Sequence, residues 1–464
     1  PEECCYRRSW RIQTNRMNEH ESKNEKKIII IGGGLAGVEA AYQVSRRGIA
    51  VELYEMRPGT TTGAHTTGFL GELVCSNSLG STQVTSASGL LKEELKMLDS
   101  FFLRIAEKYR VPAGNSFSVD RIKLAECLTH EVETMPGVTI IRQELKEIPK
   151  TELPVIIATG PLTGGDFANS ITEITMRKNL FFYDATSPII HAESIDFDKI
   201  YMASRYDKGE ADFVNIPLDE QQYNEFVHDL VAAERVEMKE MEKDILFDAC
   251  LPIEEIARSG EKSLSFGPLK PVGLKDPRSG KMPYAVVQLR QDDLNKNFYQ
   301  MVGFQTRLKW GEQKRIFSKL PGLENAEFER YGRMHRNSYI NGPLIINKFY
   351  QCKLKNNLYF AGQICGVEGY VESISSGLAA GIFAAKAVLN EARYNLPETT
   401  ATGALVHYVS QAGWENFRPT KFTFGLLPDL PQKMRGKGSK HMKKEVKAAL
   451  ALETLKAWMT KAGI

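Results

Sequence analysis

The chain has 464 residues, too many for one hydrophobic core, and its 42% hydrophobic and 25% charged content is that of an ordinary globular protein of two or three domains. Seven cysteines, an odd number without CxxC spacing, argue against a disulfide framework or a zinc site and for reduced thiols in the cytoplasm; no metal, no membrane-spanning apolar run and no internal repeat is expected. The net charge of +3 hides an asymmetry: residues 431–464 carry nine Lys/Arg against Glu445 and Glu453, so a basic tail follows an acidic body, either as a grip for an anionic partner such as nucleic acid or as a solvated helix.

Residues 1–26, with Cys4 and Cys5, fit neither helix nor strand and are expected to be disordered or an over-extended start. Lys27–Ile31 reads as a strand, GGGLAG as a turn, Val38–Ser45 as an Ala-rich helix ended by Gly48, and Ile49–Tyr54 as a second strand. This is the opening unit of a parallel sheet. Residues 60–88 lack periodicity, and a loop of that length is usually functional. Ser88 precedes a helical pattern carried by Leu91, Leu95, Leu98, Phe102 and Ile105. Val138–Ile141 and Pro154–Ile157 read as further strands, the latter running into Ala158-Thr159-Gly160-Pro161.

Between 186 and 332 short strands alternate with turn signals and one helix, Asp219–Asp244, whose apolar face is Tyr223, Phe226, Val227 and Leu230. This texture predicts an α+β insertion that splits a cofactor domain into 27–185 and 333–430. Leu358–Gly362 then reads as a strand and Ser376–Leu389 as a helix returning to that domain. The basic extension 431–464 contains a predicted helix, Lys443–Met459, with Val446, Leu450, Leu452 and Leu455 partly lining one side. The expected class is α/β: a glutathione-reductase-type FAD-binding Rossmann domain with an inserted α+β domain.

The Gly32-Gly33-Gly34-Leu35-Ala36-Gly37 turn carries the GxGxxG spacing. Gly32 permits the tight turn, Gly34 lets backbone approach a pyrophosphate, and Gly37 lets helix pack on strand. The helix N-terminus then offers NH groups to the phosphates, and Glu55, 18 residues past Gly37, is placed to accept ribose hydroxyls. Gly160 and the pair Gly362-Gln363 close strands in the manner of flavoproteins, which favours FAD over NAD. No second GxGxxG appears, so NADH or NADPH is expected to bind transiently.

Cys75 lies in the long loop beside Glu72, Ser76 and Asn77, where it is either a thiol able to become thiolate on a mobile polar loop or a small buried hydrophobe. Cys250, 175 residues further on, stands next to Asp248 and before a Pro-Ile-Glu-Glu helix start. Cys127 reads as core, Cys352 and Cys365 as structural. The clusters His335-Arg336-Asn337, Ser204-Arg205-Tyr206-Asp207-Lys208 and Gln288-Leu289-Arg290 suit either anion binding or surface ion pairs, with the second reading the heavier.

The strings IGGGLAGVEAA, AHTTGFLGELVCSNSL, SRYDKGEADF, SFGPLKPVGLKDPRSGKMPYAVVQLRQD and FAGQICGVEGYVESISSGLAAG together resemble the TrmFO family of folate- and FAD-dependent RNA uracil-5-methyltransferases, relatives of the GidA/MnmG wobble-uridine enzymes. The resemblance runs from about Lys27 to about Leu430. It implies that FAD, reduced by NADH or NADPH, takes a one-carbon unit from 5,10-methylenetetrahydrofolate and passes it to carbon 5 of a uracil. Cys250 matches the position that attacks carbon 6, and Cys75 the second cysteine, which shields or releases the flavin adduct. Arg290, Arg307, His335 and Asn337 are the expected substrate-binding residues. The chain departs from the family at Ile216, where Asn-Cys-Pro is usual, and at Arg307, where FQTHL is common; there the guanidinium would have to stack on the folate pteridine. The expected target is the T-loop uridine of tRNA. A ribosomal RNA uridine, a folate-dependent flavin oxidoreductase without RNA and an RNA-binding scaffold are the alternatives, and both a monomer and a homodimer remain open.

Overall fold

The computed structural model describes residues 26–177, 180–207, 210–236, 251–430 and 439–464; Cys250, Cys4, Cys5 and residues 431–438 of the basic extension lie outside them. A five-stranded parallel sheet is built in the order Leu358–Phe360, Val155–Ile157, Lys27–Ile31, Ala50–Tyr54 and Val138–Ile141. Its central strand is four consecutive isoleucines, all buried, the signature of a parallel strand covered on both faces. The helix Leu35–Ser45 packs on it and is itself packed by Tyr370–Val388. That contact is close because Gly377 stands where a Cβ would come within 2.2 Å of the Ala36 carbonyl oxygen.

Tyr370–Val388 begins six residues before the expected Ser376, and at 19 residues it is long and apolar enough to cross a bilayer, contrary to the expectation that no run reaches that length. Burial explains its composition: 89% of that apolar window is inside the protein. The periodic run after Ser88 also differs from expectation. It is two helices, Ala87–Met97, capped by the Ser86 hydroxyl, and Phe101–Ala106. The break comes at Asp99, which takes a left-handed conformation with φ 56°. The buried Glu39 carboxylate holds the second N-terminus, accepting from the Ser100 hydroxyl (2.8 Å) and from the backbone NH groups of Phe101 (3.2 Å) and Phe102 (3.0 Å). A tertiary acceptor thus outweighs an unbroken local period.

A second core, made of residues between 190 and 328, is formed by an antiparallel six-stranded sheet in the order Tyr201–Met202, Phe213–Leu218, Ala285–Gln291, Phe298–Met301, Ile189–His191 and Phe328–Arg330. Ile216, the departure from the family pattern, is one of its fully buried residues. The helix Glu220–Ala232 starts with a capping box between Asp219 and Gln222 and buries Tyr223, Phe226, Val227 and Leu230. It ends well before Asp244, because the chain turns extended at Ala233 and Arg235 bridges to Leu308.

The chain enters this region along Leu180–Ala185 and leaves it along Met334–Tyr339, and these two strands pair antiparallel as a ribbon. The C-terminal helix Ser439–Ala462 returns to the first core. It buries Ala448, Ala451, Leu455, Trp458 and Ala462, while Val446 and Leu450, expected to line the packed side, are exposed. The buried positions recur at three- and four-residue spacing, so the packed stripe combines three alanines with Leu455 and Trp458 and leaves out two of the four aliphatics expected on it.

Candidate functional site

A cavity of about 610 Å³ opens where the parallel strands end. Gly32, Glu55, Gly160 and Gly362 each follow the carboxyl end of a different strand of the five-stranded sheet, and all four line this cavity with Gly34, Leu35, Ala36 and Gln363. Gly33 and Gly37 do not line it. The Gly33 NH donates to Glu55 Oε2 at 2.8 Å, and a Cβ on Gly37 would lie 1.8 Å from the Gly32 carbonyl oxygen, so Gly37 is the helix-on-strand contact. A Cβ on Gly34, by contrast, would meet nothing within 4 Å. Gly34 caps the helix without a side-chain bond, leaving the first-turn NH groups open toward the cavity. An open glycine, an uncapped helix and a buried acid are what a dinucleotide needs, and the residues present fit one.

Glu55 does more than line the cavity. Its carboxylate also accepts from the Arg57 NH (3.0 Å) and Nε (2.9 Å), and Arg57, 2% exposed, reaches on to Glu72 Oε2 at 3.0 Å. Burial alone would raise the Glu55 carboxyl, but bonding to Arg57 outweighs it and holds the group below its ordinary value. Glu72 in turn accepts from the NH and hydroxyl of both Thr66 and Thr67. The start of the long aperiodic loop is tied down by this acid.

A second cavity of about 380 Å³ shares the wall Val74, Pro161, Leu162, Gln363 and Tyr370 with the first. Cys75, Arg290, His335 and Asn337 line it. Arg307 does not: its guanidinium is bound to the Glu255 carboxylate, and Gln305 faces the cavity instead. A stacking role for Arg307 is therefore not what the geometry offers. The NH of Ile253 donates to the carbonyl of Gln305 at 2.7 Å.

Cys75 sits on a clamped backbone rather than a mobile loop. Its NH and that of Ser76 donate to the Tyr370 hydroxyl at 2.7 and 3.1 Å, and its carbonyl accepts from Gln300 Nε2 at 3.0 Å and Arg121 at 3.4 Å. Arg330 holds the Val74 carbonyl. Burial, with Asp184 adding to it, pushes the thiol up to about 12, so Cys75 is protonated at neutral pH, not the thiolate envisaged from sequence. Arg290 donates to Ser76 Oγ (2.7 Å) and Gln300 Oε1 (2.5 Å), and burial lowers it to about 10. His335 is pushed down to about 4 by burial and by Arg330, Arg333 and His65, and its buried Nε2 has no hydrogen-bond partner among the described residues. Arg205 donates to the carbonyls of Lys270 and Val272 and to Gln288 Oε1, a structural tie that is neither of the two expected roles, anion binding or a surface ion pair.

Sequence reasoning missed Arg57, Tyr370 and Glu368. Glu368 lines the second cavity, accepts from Gln363 Nε2 at 2.5 Å, and is raised to about 8 by burial and by Asp184. Tyr370 and Glu368 flank Gly369, which caps the helix after the second glycine-rich turn; that turn was the available signal.

The profile of the family described as "GIDA: Glucose inhibited division protein A" matches residues 27–392. A protein of Bacillus velezensis named methylenetetrahydrofolate--tRNA-(uracil-5-)-methyltransferase TrmFO is 50% identical over 93% of this chain and 98% of its own length. Proteins of the same name from Listeria monocytogenes serotype 4b (51% identical, 92% of this chain and 98% of theirs) and Bacillus subtilis (50%, 93% and 98%) agree. Aquifex aeolicus GidA, in its form II crystal, superposes with a TM-score of 0.65 over 93% of this chain and 74% of that one, at 16% identity, a likeness of fold. The chain thus belongs to the GidA family and, within it, to the TrmFO branch.

Proposed function

We propose that this protein methylates carbon 5 of the T-loop uridine of tRNA, with 5,10-methylenetetrahydrofolate as carbon donor, FAD as carrier and reductant, and NADH or NADPH as electron source. The curated names of relatives at about 50% identity support the folate-dependent tRNA reaction and the cytoplasm is where such a substrate is met. The observation that carries the reading is the wall shared by the two cavities: a dinucleotide cleft and a second chamber holding Cys75 meet at Gln363 and Tyr370.

Gly34, Leu35 and Ala36 would bind the pyrophosphate with NH groups, and Glu55, kept ionised by Arg57, the ribose. Bound there, FAD supplies the reducing electrons and accepts the one-carbon unit. Arg290 brings positive charge to the second chamber, and His335, neutral at pH 7, contributes a hydrogen-bonding ring rather than a cation. Glu368, protonated near neutrality, gives that chamber a proton source beside Gln363. Cys75 enters as a thiol whose backbone cannot drift. Cys250 carries the attack on uracil carbon 6, which makes carbon 5 nucleophilic.

Purified protein given FAD, NADPH, methylenetetrahydrofolate and a T-arm transcript will produce 5-methyluridine, read by nucleoside digestion and mass spectrometry. Cys250→Ala will produce none and will form no covalent complex with RNA containing 5-fluorouridine. Wild-type protein that oxidises NADPH with the folate yet leaves RNA unmethylated would replace this reading with a folate oxidoreductase.

A further inference from the structure

We propose that Trp310, with Tyr331 beneath it and Arg333 over it, forms a ledge on which an unpaired base of the RNA stacks while a neighbouring uridine occupies the second cavity. This rests on the RNA-methylating function above. Trp310 is 53% exposed, a large apolar ring left in water. It lies stacked on Tyr331, with centroids 5.8 Å apart and planes 15° from parallel, and Tyr331 is stacked in turn on Phe328 at 5.0 Å and 19°. Phe328 packs against the second hydrophobic core, so the three rings form a ladder anchored in the protein and open at its outer end.

The guanidinium of Arg333 lies 5.0 Å from the Trp310 centroid. The Arg333 side chain is exposed and forms no ion pair among the described residues; its guanidinium donates there to the Gly63 carbonyl at 3.2 Å, while its backbone is tied to Thr186. An arginine over an indole is the arrangement in which an aromatic base can take the guanidinium's place while the cation turns to a phosphate.

The position fits the substrate. Arg333 immediately precedes the strand Met334–Tyr339, two residues before His335 and four before Asn337, which line the second cavity, and His335 feels its charge. Trp310 follows the segment whose Gln305 faces that cavity. A base beside the target would therefore meet a flat ring and an exposed cation two residues before His335 of the chamber. Sequence-specific RNA recognition works on such splayed bases, stacked on aromatic rings and arginine planes. Direct hydrogen-bond readout is not required, so the ledge positions RNA and does no chemistry.

The test uses full-length, FAD-loaded enzyme and a T-arm stem-loop. Trp310→Ala is expected to raise KM for the stem-loop about tenfold, within the range of one lost base stack, with kcat changed less than about twofold. Trp310→Phe, which keeps a ring, is expected to restore most of the loss, and Arg333→Ala to weaken the dependence of KM on salt. Bound-flavin absorbance establishes that each variant is folded. A Trp310→Ala enzyme with KM within about twofold of wild type overturns the ledge, as does a Trp310→Phe enzyme no better than the alanine variant; a protein-docking role for this face would give the first of these results. Wild-type enzyme that methylates no RNA overturns the parent reading instead, and is recognised without any variant.

Discussion

The Tyr370 hydroxyl accepts the backbone NH of Cys75 at 2.7 Å across 295 residues of sequence. The same oxygen takes the NH of Ser76, so one phenol satisfies two donors of a loop that has no ladder of its own. Tyr370 also begins the helix that packs the dinucleotide motif, which couples the wall between the two cavities to the first core. Tyr370→Phe leaves two half-buried NH groups without this acceptor. A loss of about 1–3 kcal/mol in the urea unfolding free energy is expected, along with faster proteolysis within residues 60–86. Unchanged protection of that loop would show that other contacts hold it.

Gly34 and Gly37, three residues apart, should fail in opposite ways. Gly34→Ala adds a methyl that meets nothing within 4 Å at a residue with φ −76°, so the protein should fold and melt normally while FAD affinity drops. Gly37→Ala drives a methyl to 1.8 Å from the Gly32 oxygen, so it should lower the melting temperature and the yield of folded protein. Thermal melts and flavin titration of the two variants decide the matter. Equal flavin binding by Gly34→Ala and wild type would count against phosphate approach at that residue.

Arg57 neutralises two buried carboxylates. Arg57→Met keeps much of the volume and strands Glu55 and Glu72 without their cation, a change on the order of 3–5 kcal/mol for a broken buried pair. Flavin content of the purified variant should fall with stability, because Glu55 lines the cofactor cavity. A variant with full flavin occupancy and an unshifted melt would contradict this.

Glu94 gives a pH signature outside the site. Its carboxylate caps the helix Ala401–Gln411, accepting from the NH groups of Ala401 (2.6 Å) and Thr402 (2.8 Å), and burial raises it from 4.5 to about 7. Between those values the folded state holds a proton that the unfolded state has released. This group's contribution to stability is therefore full below about 4.5, falls as pH rises, and levels off above about 7. The span corresponds to roughly 3 kcal/mol at most. Glu94→Gln, offset by a constant amount, should lack this slope. Urea midpoints of the two proteins at pH 4.5, 6 and 8 give the comparison, and parallel profiles would refute it.

The parts of the molecule legible in sequence were those set by neighbours along the chain. The isoleucine run, the glycine spacing and the acid after the second strand specify a strand, a turn and a cavity wall within 30 residues of each other. Arg57 was invisible for the opposite reason: an arginine after a strand reads as surface, and its burial is made tolerable by Glu55 together with Glu72, which arrives from 15 residues on. Asp99 broke a clean heptad-like pattern because Glu39, 60 residues earlier, supplied an acceptor that no local window contains. Cys75 was found by its neighbours Ser76 and Asn77 and by the family string, but its protonation state depends on burial, which that string does not carry. His335 and Asn337, read from a polar cluster, line the second cavity, whereas Arg307 is turned to Glu255 across 52 residues.

The antiparallel ribbon of Leu180–Ala185 and Met334–Tyr339 gives the intervening segment adjacent ends, with Ala185 opposite Met334. A segment tethered in this way can be excised and its stumps joined by a short turn without rethreading the rest of the chain. It behaves as a cassette: the nucleotide-holding host could keep its architecture while the residues between 186 and 333 were exchanged for another set. Because His335 and Asn337 belong to the ribbon and not to the cassette, a replacement would inherit part of a working chamber from its host.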